Sequence, residues 1–387
     1  MRSIELFAGA GGLGIGLHQA GFHPAKVVEW DRYCCDTIRE NQTFGSRWVK
    51  DWDIVEGDVR EVDFAELADK VDLVSGGPPC QPFSLGGKHG AYDDARDMFP
   101  QAIRVVRETR PKAFVFENVK GLTRASFQNY YEYIKLQLQY PEVAPKPDED
   151  WADHLARLER YHTKGARDGL QYRLVAQVLN AANYGVPQRR ERVVFVGFRD
   201  DTDIAWNFPL ETHSDEALLW AKHRDHSYWD RHEVPRGGRL TTSAETDRAN
   251  RLQAKPSSCA WTTVRDMISD LPDPQYDRDA SRKVSNHKFQ PGARSYAGHT
   301  GSPFDEPAKT LKAGVHGVPG GENMLSMPDG SVRYFTVRES ARLQTFPDEY
   351  VFHGSWSETM RQLGNAVPIK LARVIGIAVA RNLKFAA

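Results

Sequence analysis

The chain has 387 residues, 40% of them hydrophobic and 27% charged, with a formal net charge of −1. That composition excludes the fibrous and disordered classes and leaves room for two domains with a sizeable core. Without a global basic field, any nucleic-acid partner must be met by positive charge gathered on one face. The four cysteines, Cys34, Cys35, Cys80 and Cys259, form no C-x-x-C pair and no zinc-spaced cluster, so free thiols in a reducing cytoplasm and no metal site are expected. Arg2 precedes an apolar stretch like that of a signal peptide, but Glu5 and the glycines interrupt it, and no run of about 18 apolar residues suggests a membrane span.

Ser3-Ile4-Glu5-Leu6-Phe7 reads as a first strand, which Gly9-Ala10-Gly11-Gly12-Leu13-Gly14 turns into a helix carrying Leu17, His18 and Ala20. The glycines let the backbone approach a ligand closely at a helix N-terminus. The run is a formal G-x-G-x-x-G match, and Glu29, about 20 residues on at the end of the strand Lys26-Val27-Val28, suits a ribose hydroxyl pair. On this pattern NAD and S-adenosylmethionine both stay open, and a glycine turn without a ligand is the plainer alternative.

Val71-Asp72-Leu73-Val74 reads as a buried strand closed by Gly76-Gly77. This puts Cys80 in a loop at the strand's C-terminal edge, where open α/β sheets bind ligands. Pro78, Pro79 and Pro82 stiffen that loop, which suits a nucleophile better than the small buried hydrophobe that most lone cysteines are. Gly77-Pro78-Pro79-Cys80-Gln81-Pro82-Phe83-Ser84 resembles the catalytic loop of the cytosine-C5 DNA methyltransferases. The resemblance implies an α/β fold, a Rossmann-like S-adenosylmethionine-dependent methyltransferase sheet with helices on both faces, plus a smaller irregular target-recognition domain. Phe7-Ala8-Gly9-Ala10-Gly11-Gly12 is then similar to the family's cofactor loop, with Phe7 stacked on the adenine. Glu29 would hold the ribose, Trp30 flank the base, Asp58 and Val59 meet the adenine edge, and Pro78 border the cofactor. Glu29 and Asp58 would each pass for a solvated loop carboxylate alone; their order after a glycine loop, each at a strand end, favours the ligand roles.

The stretch 86–96 is glycine-rich and then polar, as a mobile lid would be. By the resemblance Ser84, Lys88 and Arg96 meet DNA, while His89 suits a phosphate or a solvated loop equally. The spacing predicts an amphipathic helix over 102–110, then a buried strand, Lys112-Ala113-Phe114-Val115-Phe116, ending in Glu117-Asn118-Val119. Glu117 therefore shares the sheet edge of Cys80. A carboxylate there can simply cap a turn, but Glu-Asn-Val matches the family's second catalytic element, in which the Glu bonds the target cytosine's N3 and amino group. A loop at 141–147 and an acid-capped helix at 150–162 belong to a segment, 141–170, that is expected to be an insertion beyond the family core.

Strands at 172–179 and 193–198 flank Gln188-Arg189-Arg190-Glu191-Arg192. Three arginines in four residues suit a solvated, DNA-neutralising face. The alternation Gln188, Arg190, Arg192 is similar to the family's, which implies Arg192 at the flipped cytosine's O2 and Arg190 supporting the catalytic loop or the phosphates. From 200 to 330 the regular alternation gives way to turns, tryptophans and arginines, read as a target-recognition domain between a catalytic domain at 1–199 and its return at 331–387. Arg282, Lys283, Lys288 and Arg294 make a local basic patch there, and Thr310-Leu311 resembles the pair that ends the family's recognition segment, so all six are expected at DNA. Thr336 and Glu339 cap a helix that should buttress this domain. Gln362-Leu363-Gly364-Asn365-Ala366-Val367-Pro368 then opens a last helix, expected beside the first strand, with Asn365 and Ala366 at the cofactor.

The implied enzyme is a DNA (cytosine-5-)-methyltransferase that flips a cytosine out of a short duplex sequence, adds Cys80 to its C6 and methylates C5. It is expected to be a cytoplasmic monomer without a membrane partner, in a prokaryotic or phage-infected cell. It would act as the modification enzyme of a restriction-modification system, its endonuclease acting separately, or as an orphan methylase. A first strand starting at Ser3 leaves no room for an N-terminal regulatory domain, which suits a compact enzyme. An RNA cytosine-C5 methyltransferase is the nearest alternative. A nicotinamide-dependent oxidoreductase leaves the Pro-Pro-Cys, Glu-Asn-Val and Gln-x-Arg-x-Arg stretches unexplained, and a silent DNA-binding regulator sits poorly with the presence of Cys80 and Glu117.

Overall fold

Two apolar runs buried on both faces, as central parallel strands are, frame the computed structural model, which describes residues 1–79, 97–165, 168–314, 321–327 and 329–385. They belong to a seven-stranded sheet made of β1 (Arg2–Leu6), β2 (His23–Glu29), β3 (Ile54–Glu56), β4 (Leu73–Gly76), β5 (Ala113–Val119), β6 (Tyr172–Asn180) and β7 (Glu191–Arg199), in the order β3-β2-β1-β4-β5-β7-β6. β1 to β5 pair in parallel, while β7 runs antiparallel to both β5 and β6. The strand order reverses between β1 and β4, and a crevice outside the carboxyl ends of such a pair is where doubly wound sheets bind ligands. The first strand stops at Leu6, one residue earlier than the sequence suggests, because Phe7 turns to φ 53°.

Between these strands lie α1 (Gly12–Gln19), α2 (Arg32–Thr43), α3 (Phe99–Thr109), α4 (Gln128–Gln139) and α5 (Trp151–Thr163). Side-chain caps set two of the starts: Asp31 accepts from Cys34 N at 3.1 Å and Asp150 from Asp153 N at 2.8 Å. α3 begins three residues before the predicted helix, with Pro100 in its first turn, where proline needs no donor. α5, in the expected insertion, docks on α4 through buried His154, whose Nδ1 pairs with the Tyr133 hydroxyl at 2.8 Å and Nε2 with Val143 O at 2.6 Å.

From 200 to 330 the elements are short: α6 (Asp215–His223), α7 (Ser227–Arg231), α8 (Ser243–Asn250), α9 (Val264–Ile268) and α10 (Arg278–Ser281), with β8 (His213–Ser214), β9 (Cys259–Ala260), β10 (Ser302–Pro303) and β11 (Met324–Ser326). β11 pairs with β12 (Val332–Tyr334) just beyond. Elements this short depend on long-range polar links. Buried Asp305 accepts from the Tyr228 hydroxyl at 2.8 Å and from Arg265 Nε and Nη2 at 2.6 and 3.1 Å.

The chain then forms α11 (Val337–Leu343), α12 (Trp356–Asn365) and α13 (Ile369–Phe385), and the Thr336–Glu339 capping box opens α11 as the sequence indicates. Gln362 to Asn365 close α12 rather than opening the last helix, which starts after Pro368. α13 packs on α1 through Leu13, Leu17, Leu371, Ala372 and Ile375. Trp356–Phe385 is long and apolar enough to cross a membrane by length and composition, but its apolar window is 67% buried inside the protein, the burial of a core helix.

Candidate active site

At the end of β1 the backbone turns through Phe7, Gly9 and Gly11, with φ of 53°, 54° and 88°. Gly11 N donates to Ala8 O at 2.9 Å and precedes α1, a left-handed position that favours glycine. A Cβ on Gly9 would meet nothing within 4 Å, so the loop is open there, whereas one on Gly12 would lie 2.4 Å from Val367 O. The chain between α12 and α13 thus presses on the loop, bringing buried Ala366 and exposed Asn365 alongside. Glu29, 6% exposed, holds the other side: Gly9 N donates to Oε2 at 2.7 Å and Asp31 N to Oε1 at 2.8 Å. Burial pushes the Glu29 carboxyl pKa up, and those two N–H groups oppose it. The neighbouring Trp30 indole is 67% exposed. Asp58 is more committed than expected: it accepts from Arg60 N at 2.9 Å and clasps the Arg60 guanidinium, which holds its pKa below the usual range. Val59 is buried beside it.

At the β4–β5 edge Asn118 Nδ2 donates to Pro78 O at 2.8 Å and Met98 N to Pro79 O at 3.1 Å, fixing the strand's exit one residue before Cys80. Cys80, Ser84, Lys88 and Arg96 lie outside the described residues. Glu117, 8% exposed on β5, sits so close that its Oε2 would be 3.3 Å from a Cβ on Gly77. Arg192, at the start of β7, brings Nε within 2.7 Å of Glu117 Oε1. The two form a buried ion pair. Burial lowers the Arg192 pKa, and Glu117 pulls it back up. The resemblance implies that Glu117 and Arg192 meet the same base, and the structure brings them into contact.

Arg190 departs from one of its two expected roles, the phosphate contact, while the loop it is otherwise expected to support lies outside the described residues. Arg190 is 0% exposed, walled off from any phosphate, and donates from Nη1 to Leu311 O at 3.1 Å and from Nη2 to Gly364 O at 2.8 Å, with Nε unpartnered. Burial, with Arg192 close by, pushes its pKa well down, opposed by Glu117. Arg190 therefore ties β7 to the 308–311 segment and to α12. Leu311 is 1% exposed, so its side chain belongs to a core cluster rather than to a DNA surface, and the Thr310 hydroxyl donates to Arg189 O at 2.6 Å. Arg282, Lys283, Lys288 and Arg294 are all exposed. Their segment is fastened to the core: buried Arg338 donates to Ser285 O at 3.0 Å and Tyr350 O at 2.9 Å, and the Tyr350 hydroxyl donates to Ala10 O in the glycine loop at 2.9 Å. Among the described residues no three His, Cys, Asp or Glu side chains converge as metal ligands.

The model of the C-5 cytosine-specific DNA methylase family matches residues 1–140 and 160–381. The chain belongs to the C-5 cytosine-specific DNA methylase family. The match steps over 141–159, within the segment read as an insertion. The chain is 31% identical over 99% of its length to Type II methyltransferase M.PspPI of Psychrobacter sp., covering 80% of that protein. It is 30% identical over 99% of its length to Type II methyltransferase M.NgoMIV of Neisseria gonorrhoeae, covering 98% of that protein. The fold is shared with the S. pombe Dnmt2 methyltransferase, with a TM-score of 0.54 at 16% identity over 99% of this chain and 98% of that one. The protein is thus a DNA (cytosine-5-)-methyltransferase on an α/β fold, and DNA is its substrate.

Three features of this methylase site escape the sequence reading. Gln188, read only as part of a motif, is buried; its Oε1 accepts from Leu311 N at 3.0 Å and its Nε2 lies 3.3 Å from Gln344 Oε1, so the two amides link the recognition segment to α11. The Tyr350 bond to the glycine loop has no local signal. Glu5 has one, a single carboxylate in an apolar strand, yet its role appears only in three dimensions. Glu5 is buried beside Ser75 Oγ, and Ser75 Oγ also reaches Ile4 O at 3.2 Å. One hydroxyl hydrogen cannot serve both oxygens. A protonated Glu5 resolves this by donating to Ser75, which donates on to Ile4, and burial pushes the Glu5 pKa up from 4.5 to about 8. The folded methylase thus keeps a proton that the unfolded chain releases, and stability contributed at low pH is lost as pH rises from 4.5 to about 8. Glu5→Gln, whose amide donates to Ser75 at every pH, is expected to flatten that decline by up to about 1.4 kcal/mol per pH unit, read from urea unfolding at pH 6 and pH 8.

Proposed function

We propose that this methylase uses S-adenosylmethionine to modify a cytosine within a short duplex sequence, with Cys80 as nucleophile and Glu117 and Arg192 on the flipped base. The observation that carries the reading is the buried Glu117–Arg192 ion pair at the sheet edge, where Asn118, the residue after Glu117, anchors Pro78 two residues before Cys80. A carboxylate and a guanidinium side by side at such an edge offer an acceptor and a donor to one bound base.

The loop fits the nucleoside half of S-adenosylmethionine. It is open at Gly9, Glu29 keeps free lone pairs after accepting one N–H on each oxygen, and Trp30 offers an exposed ring. Phe7, Ala8, Gly9, Gly11, Gly12, Glu29, Trp30, Asp58, Val59, Pro78, Asn365 and Ala366 would hold it, with the Asp58 carboxylate shared between the ligand and Arg60. When bound, S-adenosylmethionine supplies an electrophilic methyl group. The protein's part is to turn cytosine C5, which is electron-poor, into a carbon nucleophile. Addition of the Cys80 thiolate to C6 forms an S–C bond and leaves C5 enamine-like, while Glu117 at N3 and the amino group and Arg192 at O2 stabilise charge developing in the ring. Loss of the C5 proton and elimination across C5–C6 then free Cys80. Since C6 is stacked in duplex DNA, the nucleotide must be flipped out, at a cost of a few kcal/mol that phosphate contacts offset.

Residues 1–199 and 331–387 would form one discontinuous catalytic domain and 200–330 the target-recognition domain, its exposed Arg282, Lys283, Lys288 and Arg294 meeting phosphates, with Ser84, Lys88, Arg96 and Thr310 nearby. The names of M.PspPI and M.NgoMIV support a modification methylase of a restriction-modification system, here a monomer working in a prokaryotic cytoplasm with its endonuclease acting separately. The test is bisulfite sequencing of unmethylated duplex DNA after incubation with the protein and S-adenosylmethionine. Protected cytosines at one recurring short sequence, absent with Cys80→Ser, are expected; protection by Cys80→Ser equal to the wild type would remove the nucleophile assignment.

A further inference from the structure

Arg192 meets Glu117 and Arg190 locks the fold, but Arg189, just before them in the chain, does neither. Its side chain is 46% exposed and enters a cleft of about 300 Å³ lined also by Pro303, Glu306, Pro307, Lys309 and Thr310. The backbone at Arg189 is fixed, since its N donates to Ala308 O at 2.8 Å and its O accepts from the Thr310 hydroxyl at 2.6 Å. The guanidinium forms an ion pair with Glu306 and lies 5.7 Å from the centroid of the Trp261 ring.

Two chemistries compete for an exposed arginine on a DNA-facing surface. A phosphate contact needs charge and tolerates movement, so a carboxylate beside the guanidinium weakens it. Reading guanine needs the planar fork aimed at O6 and N7, and an acid and an aromatic ring beside the guanidinium restrict its movement. The charged groups facing the cleft are Arg189, Lys309 and Glu306, and Glu306 offsets one of the two cations. The arrangement therefore favours the base. Arg189 lies three positions before Arg192, so their Cα atoms are at most about 11 Å apart.

We propose that Arg189, held by Glu306 and Trp261, reads a guanine flanking the target cytosine and so helps to set the sequence that is methylated. This rests on the duplex-methylating reading above.

The test uses a randomised duplex library methylated by the wild type, Arg189→Ala and Glu306→Gln, with modified sites read by bisulfite sequencing. A wild type that yields no methylated motif would remove the underlying reading, whatever the variants do. Given a wild-type motif, Arg189→Ala is expected to lower the preference for guanine at one position by about five- to 150-fold, the equivalent of one bidentate contact, and to leave the other positions unchanged. Glu306→Gln should weaken the same position by less, and it gives the same readout if Arg189→Ala fails to fold. A uniform loss across sequences, with the salt slope of binding reduced by about one, assigns Arg189 to a phosphate and overturns the proposal. An unchanged profile in both variants overturns it as well.

Discussion

Glu117→Gln is expected to slow methyl transfer about 10²- to 10³-fold, the cost of removing one preorganised polar group from a site of charge development. The isosteric amide preserves the volume beside Gly77 and the β5–β7 pairing, where Glu117 faces Val194, so the sheet should persist. What changes is the charge opposite Arg192, whose guanidinium is buried and depends on Glu117 for compensation. Single-turnover rates at saturating DNA, set beside DNA affinity measured by titration, separate the two contributions. The rate should fall while affinity stays within a few-fold of the wild type. A variant whose rate stays within a few-fold would place Glu117 outside the chemistry.

Arg190→Ala is expected to be the most destabilising change at the site. It strands the Leu311 and Gly364 carbonyls in the interior, and an unsatisfied buried acceptor costs about 1–3 kcal/mol, so the pair amounts to about 2–6 kcal/mol. Relief of the buried, depressed guanidinium offsets part of this, which favours the lower half of that range. Urea unfolding gives the stability directly. The phosphate role suggested by the motif predicts another outcome: near-normal stability, weaker DNA binding and a salt slope smaller by about one. The burial of Arg190 argues for the first result.

The parts of the fold that were legible in the sequence are those governed by local rules. β4 and β5 are apolar runs ended by glycine or by a polar turn, and the caps at Asp150 and Thr336 are read straight from residue spacing. α12 also carried a signal, Ser355 followed three residues later by Glu358, but the motif at 362–368 drew attention to the helix after it. Glu117 and Arg192 were legible as candidate site residues because both sit in short patterned runs, which the structure puts on neighbouring strands. The full enclosure of Arg190 was not, since it shares an alternating pattern with Arg192 and only the packing of Leu311 and Gly364 around it decides the matter. Thr310-Leu311 failed for the same reason: the motif marks the place, while the side chain of Leu311 joins a core cluster with Val264, Phe335 and Leu343. The segment from 200 to 330 is held by links such as Tyr228 to Asp305, 77 residues apart, which leave no periodicity to read.

The central claim is that Cys80 adds covalently to a cytosine in duplex DNA. The measurement that reaches it most directly is mass spectrometry of the protein after incubation, with S-adenosylmethionine, on a duplex carrying 5-fluorocytosine at the methylated position. Fluorine at C5 cannot leave as a proton does, so elimination is blocked and the adduct should accumulate, one DNA strand per protein, with the linkage mapping to the peptide that contains Cys80 and no adduct forming with Cys80→Ser. Turnover on ordinary cytosine with no trapped adduct, or an adduct that maps to another cysteine, would contradict the account.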